Sequence, residues 1–158
     1  MCIRDRLLIA DISPVKYEHD QSRFIEAMQK IDLSKVEKRS DATLALSKFI
    51  EDTSLQSFFT QSLDLKTKGW KLNLSILLSE MDEILSFPEI DSKFLGHTLF
   101  LKGAKSEYVC PDHRKIIKSL FIKARFATLK GAGHWLHSEK PREFESAARL
   151  FFSKKEIF

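Results

Sequence analysis

Apolar positions in this chain fall into short continuous runs separated by stretches with helical spacing. "LLIADI" (7–12) is a continuous run closed by Asp11, Ser13 and Pro14, the pattern of a parallel strand buried on both faces. Pro14 ends any regular strand there. The spacing of Phe24, Ala27, Met28 and Ile31 predicts a helix over 20–31. Residues 38–86 read as three more helices. The first is capped by Asp41 and buries Ala42, Leu46, Phe49 and Ile50; the second carries Leu55, Phe58, Phe59 and Leu63. The third carries Leu74, Leu77, Leu78, Met81 and Leu85, and "KTKGWKLN" joins it to the second. A second strand, "TLFLKG" (98–103), precedes a helix that opens at Pro111 and buries Ile116, Ile117, Leu120 and Phe121. A third strand, "ARFATLK" (124–130), precedes a last helix from Pro141, with Phe144, Ala147, Ala148 and Phe151 on one face.

The order is strand, helical block, strand, helix, strand, helix, which predicts a parallel sheet covered by helices. Three strands make a poor sheet of this kind, and "MCIRDR" runs straight into the first of them. Both features lead us to expect that the first half of the domain is absent. The chain has 158 residues, 43% hydrophobic and 30% charged, with net charge +4. That is an ordinary globular balance. The basic residues are dispersed among acidic ones, which argues against nucleic-acid binding, and no apolar run approaches a membrane span. The start is no secretory signal. Cys2 and Cys110 are too few for a disulfide framework, so reduced thiols in a cytoplasmic setting are expected.

In an open parallel sheet, functional side chains gather beyond the carboxyl ends of the strands. Asp11 closes the first strand, and His134 follows the third in "GAGHWLHSEKP" (131–141), flanked by Gly131, Gly133 and Trp135. The glycines permit a tight turn that aims an imidazole back over the sheet edge. A carboxylate beside it fixes the tautomer and stabilises the imidazolium, and acid before histidine is the late order of a Ser…Asp…His hydrolase. On spacing alone, His134 also fits a packing or capping residue, and Asp11 before Ser13-Pro14 also fits an Asx turn. His134 and His137 lack zinc-pair spacing, and no metal site is expected. No segment has the glycine spacing of a nucleotide cradle.

"DISPVKY" (11–17), "WKLNL" (70–74), "GAKSEYV" (103–109) and "GAGHWLHSEKP" occur in the order and spacing of the YbfF-type esterases. The chain resembles that family of the α/β-hydrolase superfamily over roughly residues 7–153. The resemblance implies an α/β-hydrolase fold that lacks its N-terminal half, with core segments at 7–37 and 91–158 and a helical lid at 38–90. It matches His134 to the catalytic histidine and Asp11 to an acid placed after the sixth strand. Many α/β-hydrolases place the acid one strand later, where this chain has Ser106. A serine cannot hold a charged imidazole as a carboxylate does, which favours Asp11, with Glu107 and Asp112 as weaker alternatives. His137 also matches a family histidine and is expected to hydrogen-bond near the loop.

The family's nucleophile sits on a G-x-S-x-G elbow before the acid, and no such segment occurs in the sequence. The oxyanion donors would be absent with it. The expected activity is hydrolysis of acyl esters or thioesters by serine chemistry without a cofactor, with the chain inert by itself. Cys110, at a helix start, is not an elbow and is set aside as a replacement nucleophile. Phe58, Phe59 and Trp70 of the lid are candidates to line an acyl pocket. An aspartate-nucleophile relative, such as a haloalkane dehalogenase or epoxide hydrolase, is the enzymatic alternative. A non-catalytic pseudo-hydrolase fragment is the other.

Overall fold

The structure, a computed structural model, describes residues 5–19 and 21–153. It divides into two compact units, one made of the residues up to Val15 with those from Phe87 onward, the other running Lys16–Ser86.

The first unit is built on a three-stranded sheet: β1 (Arg6–Ala10), β4 (Phe94–Gly103) and β5 (Phe121–Leu129). The spatial order is β1-β4-β5 and both pairings are parallel, with Ala10 opposite Leu101 and Gly103 opposite Leu129. Only the central strand matches the expectation of burial on both faces. Leu99 and Leu101 of β4 pack on one side with Ala132 and Leu136; Phe100 packs on the other with Val109 and Ile117. Among the described residues β1 pairs with β4 alone and ends at Ala10, with Leu7 37% exposed. A continuous apolar run reveals that a strand has two apolar faces but not how many neighbours cover them.

Helices close both faces. α6 (Arg114–Leu120) buries Ile117 against Phe100, while Ile116, expected inside, points outward. It starts after a 3-10 turn at Pro111–His113, so the proline opens the turn and not the α-helix proper. A four-residue helix absent from the sequence expectation, α7 (Leu136–Glu139), precedes α8 (Pro141–Ser153). α8 lays Phe144, Ala147 and Phe151 on the Leu99–Leu101 face. Its end is tied to β1, where the Arg6 guanidinium donates to the Phe151 carbonyl at 2.9 Å.

The second unit holds α1 (Ser22–Gln29), α2 (Arg39–Leu46), α3 (Thr53–Thr60), a short antiparallel pair β2 (Leu63–Asp64) and β3 (Gly69–Trp70), then α4 (Leu74–Ser79) and α5 (Met81–Leu85). Ile25, Met28, Ala42, Leu46 and Leu63 form its apolar centre. The β2–β3 hairpin occupies most of what the sequence presented as a simple joint. Asp64 Oδ1 accepts the Lys66 and Thr67 amides, and Lys68 takes the left-handed φ of 53° that closes the turn. The expected third helix breaks at Glu80 into α4 and α5. α2 stops at Leu46, which leaves Phe49 half exposed. Asp41 is not the cap residue of α2; it sits three residues in and reaches back to accept the Lys38 and Glu37 amides at 3.1 Å.

Candidate active site

Three loops leave the carboxyl ends of β1, β4 and β5 on the same edge of the sheet, where such folds collect their chemistry. Asp11 leaves β1 first. Its amide still continues the ladder, donating to the Leu101 carbonyl at 2.9 Å, but its φ is 50°. Aspartate tolerates this left-handed conformation better than most residues. The turn places its carboxylate, wholly buried, beneath the other two loops. Oδ1 accepts the Gly103 amide at 3.0 Å. Oδ2 accepts the Ser106 hydroxyl and lies 2.9 Å from His134 Nδ1.

The β5 loop reaches this carboxylate because two glycines allow it. Gly131 has φ 75°. Gly103 has no side chain in the way: a Cβ there would lie 2.0 Å from the Gly133 carbonyl oxygen and 2.7 Å from that of Ala132. The loops are pinned together where Lys105 donates its amide to the Ala132 carbonyl at 2.9 Å. Glu139 of α7 holds the loop from the far side, its Oε2 accepting the Gly133 amide at 2.9 Å.

A buried carboxylate with three donors is a satisfied charge. With Asp11 ionised, Nδ1 of His134 carries the proton and Nε2 keeps its lone pair, on a side chain 40% exposed. An imidazole so held can take a proton from a nucleophile and return it to a leaving group.

The structure brings Asp11 and His134 together across 123 residues of sequence. The remaining candidates fall elsewhere. Ser106 faces Asp11, whereas Glu107 and Asp112 are exposed. His137 is exposed and meets the Phe144 ring edge-on at 6.2 Å, in place of the hydrogen bond expected near the loop. Cys110 precedes the Pro111 turn as a free, half-buried thiol, and Cys2 lies outside the described residues. Phe58, Phe59 and Trp70 belong to the helical unit. Phe59 packs on Phe24, and the Trp70 indole donates to the Met28 carbonyl at 3.1 Å. Phe58 leaves its ring about half exposed, 49%. Tyr108, which the sequence showed within "GAKSEYV" but gave no role, stacks on His134 with ring centroids 3.8 Å apart. Its place in that motif, two residues from Ser106, was the hint that it lies near the site. Among the described residues no three His, Cys, Asp or Glu side chains cluster as metal ligands. No helix among them is long and apolar enough to cross a membrane.

The parallel three-stranded sheet flanked by helices is that of an α/β-hydrolase, and the chain belongs to that superfamily. Its homologues are esterases and lipases of the ABHD11 and YbfF type. It is 35% identical to the mouse (Mus musculus) sn-1-specific diacylglycerol lipase ABHD11, over 94% of this chain and 51% of that protein. Identity to esterase YbfF of Escherichia coli (strain K12) is 27%, over 94% of this chain and 58% of the relative. A solved marine microorganism esterase superposes with a TM-score of 0.86 at 31% identity, covering 93% of this chain and 60% of that one. The chain thus spans about half the length of the curated relatives it matches. No family model matches it.

Proposed function

We propose that this chain carries the acid–base portion of a serine hydrolase acting on acyl esters, and that a segment outside this sequence supplies the nucleophile. The observation that carries the proposal is the 2.9 Å contact between a fully buried Asp11 carboxylate and Nδ1 of a half-exposed His134. The absence of a G-x-S-x-G segment from the 158 residues supports the second part. In the reaction, His134 Nε2 takes the proton of the attacking serine hydroxyl. Asp11 holds the imidazolium that results. The proton then passes to the departing alcohol, and a water molecule activated by the same nitrogen releases the acyl group.

The names of the relatives support ester substrates, one of them being called a diacylglycerol lipase. We assign acyl preference to the helical unit, with Phe58, Phe59 and Trp70 as candidate contacts, Phe58 being half exposed. Thioesters are a narrower extension of the same acyl chemistry.

The test is to read the DNA upstream of the Met1 codon and to assay the purified chain on p-nitrophenyl esters. A serine elbow in frame upstream, with no His134-dependent hydrolysis by the chain alone, is the expected result. An aspartate at the elbow would replace the esterase with a dehalogenase or epoxide hydrolase. Hydrolysis by the chain alone, abolished by His134→Ala, would show that the nucleophile lies within these 158 residues.

A further inference from the structure

A histidine that moves protons needs more than one hydrogen bond. The outer torsion of the side chain is broad. The Asp11 bond fixes Nδ1 but leaves the ring able to pitch about the Nδ1···Oδ2 line, which swings Nε2. The ring stacked against the imidazole is that of Tyr108. Its ring lies nearly parallel to the imidazole, 3.8 Å between centroids at 17°. The Tyr108 main chain is itself held, its amide donating to Ser106 Oγ at 3.3 Å and its carbonyl accepting the Ser13 hydroxyl at 2.9 Å. Ser106 donates in turn to Asp11. Asp11, His134, Tyr108 and Ser106 therefore close a ring of contacts contributed by all three loops.

We propose that Tyr108 is a positioning residue for His134: its ring sets the plane of the imidazole, aims Nε2, and presents a π face to the imidazolium formed when the proton arrives. A face-on aromatic ring attracts a cation through its quadrupole, so the stack tightens as His134 becomes charged. A leucine at 108 would fill space without either effect, whereas phenylalanine would keep both. The proposal rests on Asp11–His134 being the acid–base pair.

The experiment is proton and nitrogen NMR of the 158-residue chain. The wild type is expected to show a low-field Nδ1–H line from the Asp11 bond, and His134 ring protons displaced upfield by the stacked tyrosine. In Tyr108→Leu the upfield displacement should vanish and the low-field line should broaden into exchange with water. Tyr108→Phe should retain both signatures. Should the leucine variant fail to fold, Ser13→Ala, which removes the hydroxyl holding the Tyr108 carbonyl, should weaken both partially. A low-field line that persists unbroadened in Tyr108→Leu overturns the role of Tyr108 and leaves the pair intact. A wild-type chain with no such line overturns the pair itself, and the positioning role with it.

Discussion

The two units use hydrogen bonds differently. In the helical unit, side-chain bonds are mostly short in sequence. Asp32 accepts from Ser34, Asp52 from Ser54 and Leu55, Asp64 from Lys66 and Thr67, and Asn73 from Ile76. Each satisfies a turn or helix start beside it, and the centre of the unit is apolar. In the sheet unit, the important side-chain bonds span most of the chain. Asp11 meets Gly103, Ser106 and His134 at separations of 92, 95 and 123 residues. Local bonds define elements, whereas distant ones assemble a site. Disturbance should therefore have different consequences in the two units.

The largest effect is expected at Asp11. Asp11→Ala leaves the Gly103 amide, the Ser106 hydroxyl and the His134 Nδ1–H without the buried carboxylate that accepts from them. Removing one member of a buried charged network costs about 3–5 kcal/mol. Alanine is also less tolerant of the φ of 50°. Denaturant unfolding followed by amide exchange should show this loss in the sheet unit, with protection of α2 and α3 kept. Equal loss in both units would mean that they unfold as one.

Leu46→Ala is the reciprocal test. Leu46 is fully buried in the helical unit, and such truncations cost about 2–5 kcal/mol. Protection should fall in the helices while the low-field Nδ1–H line of His134 stays where it was. A shifted line would break the separation drawn above.

Gly103→Ala should cost less stability but do more harm to geometry. The added methyl meets main-chain oxygens of Gly133 and Ala132, which cannot rotate away as a side chain would. Overpacking of this kind costs about 1–3 kcal/mol. The loop bearing His134 must lift, so the low-field line should disappear while the sheet remains folded. A retained line would show that the loops accommodate a side chain at Gly103 after all.

The same contrast decides what was legible in the sequence. Pro141 opens α8 as its position foretold, and the apolar spacing located Met28, Ala42 and Leu46. These depend on neighbours within a turn or two. The break of one apolar stripe at Glu80 was not legible, because the stripe runs on through Met81 on either conformation. At the site, Asp11 and His134 were found by their places at strand ends and by resemblance to a family. Ser106 was noticed only as a residue unable to replace an acid, and its bond to Asp11 across 95 residues was invisible. Tyr108 was given no role for the same reason: its stacking partner is brought in by a different loop.

The smallest expected effect is acid sensitivity of the helical unit. Three of its aspartates, one exposed and two partly exposed, are held below the usual carboxylate range. The Ser34 hydroxyl does most for Asp32, the Lys38 amide for Asp41, and the Lys66 amide for Asp64. A carboxyl whose folded value is depressed takes up protons more readily when unfolded, so its contribution is present above the ordinary value of about 4 and lost as pH falls below it. Solvent screening keeps each contribution small. Amide exchange across 32–41 and 64–70 should accelerate between about pH 5 and about pH 3 relative to its intrinsic rate. Replacing all three with asparagine should flatten that acid limb while leaving exchange near neutrality only modestly faster. Asparagine still accepts a backbone amide but has no charge to titrate, so an acid limb unchanged in the triple variant would place the sensitivity in other groups and not in these local turns.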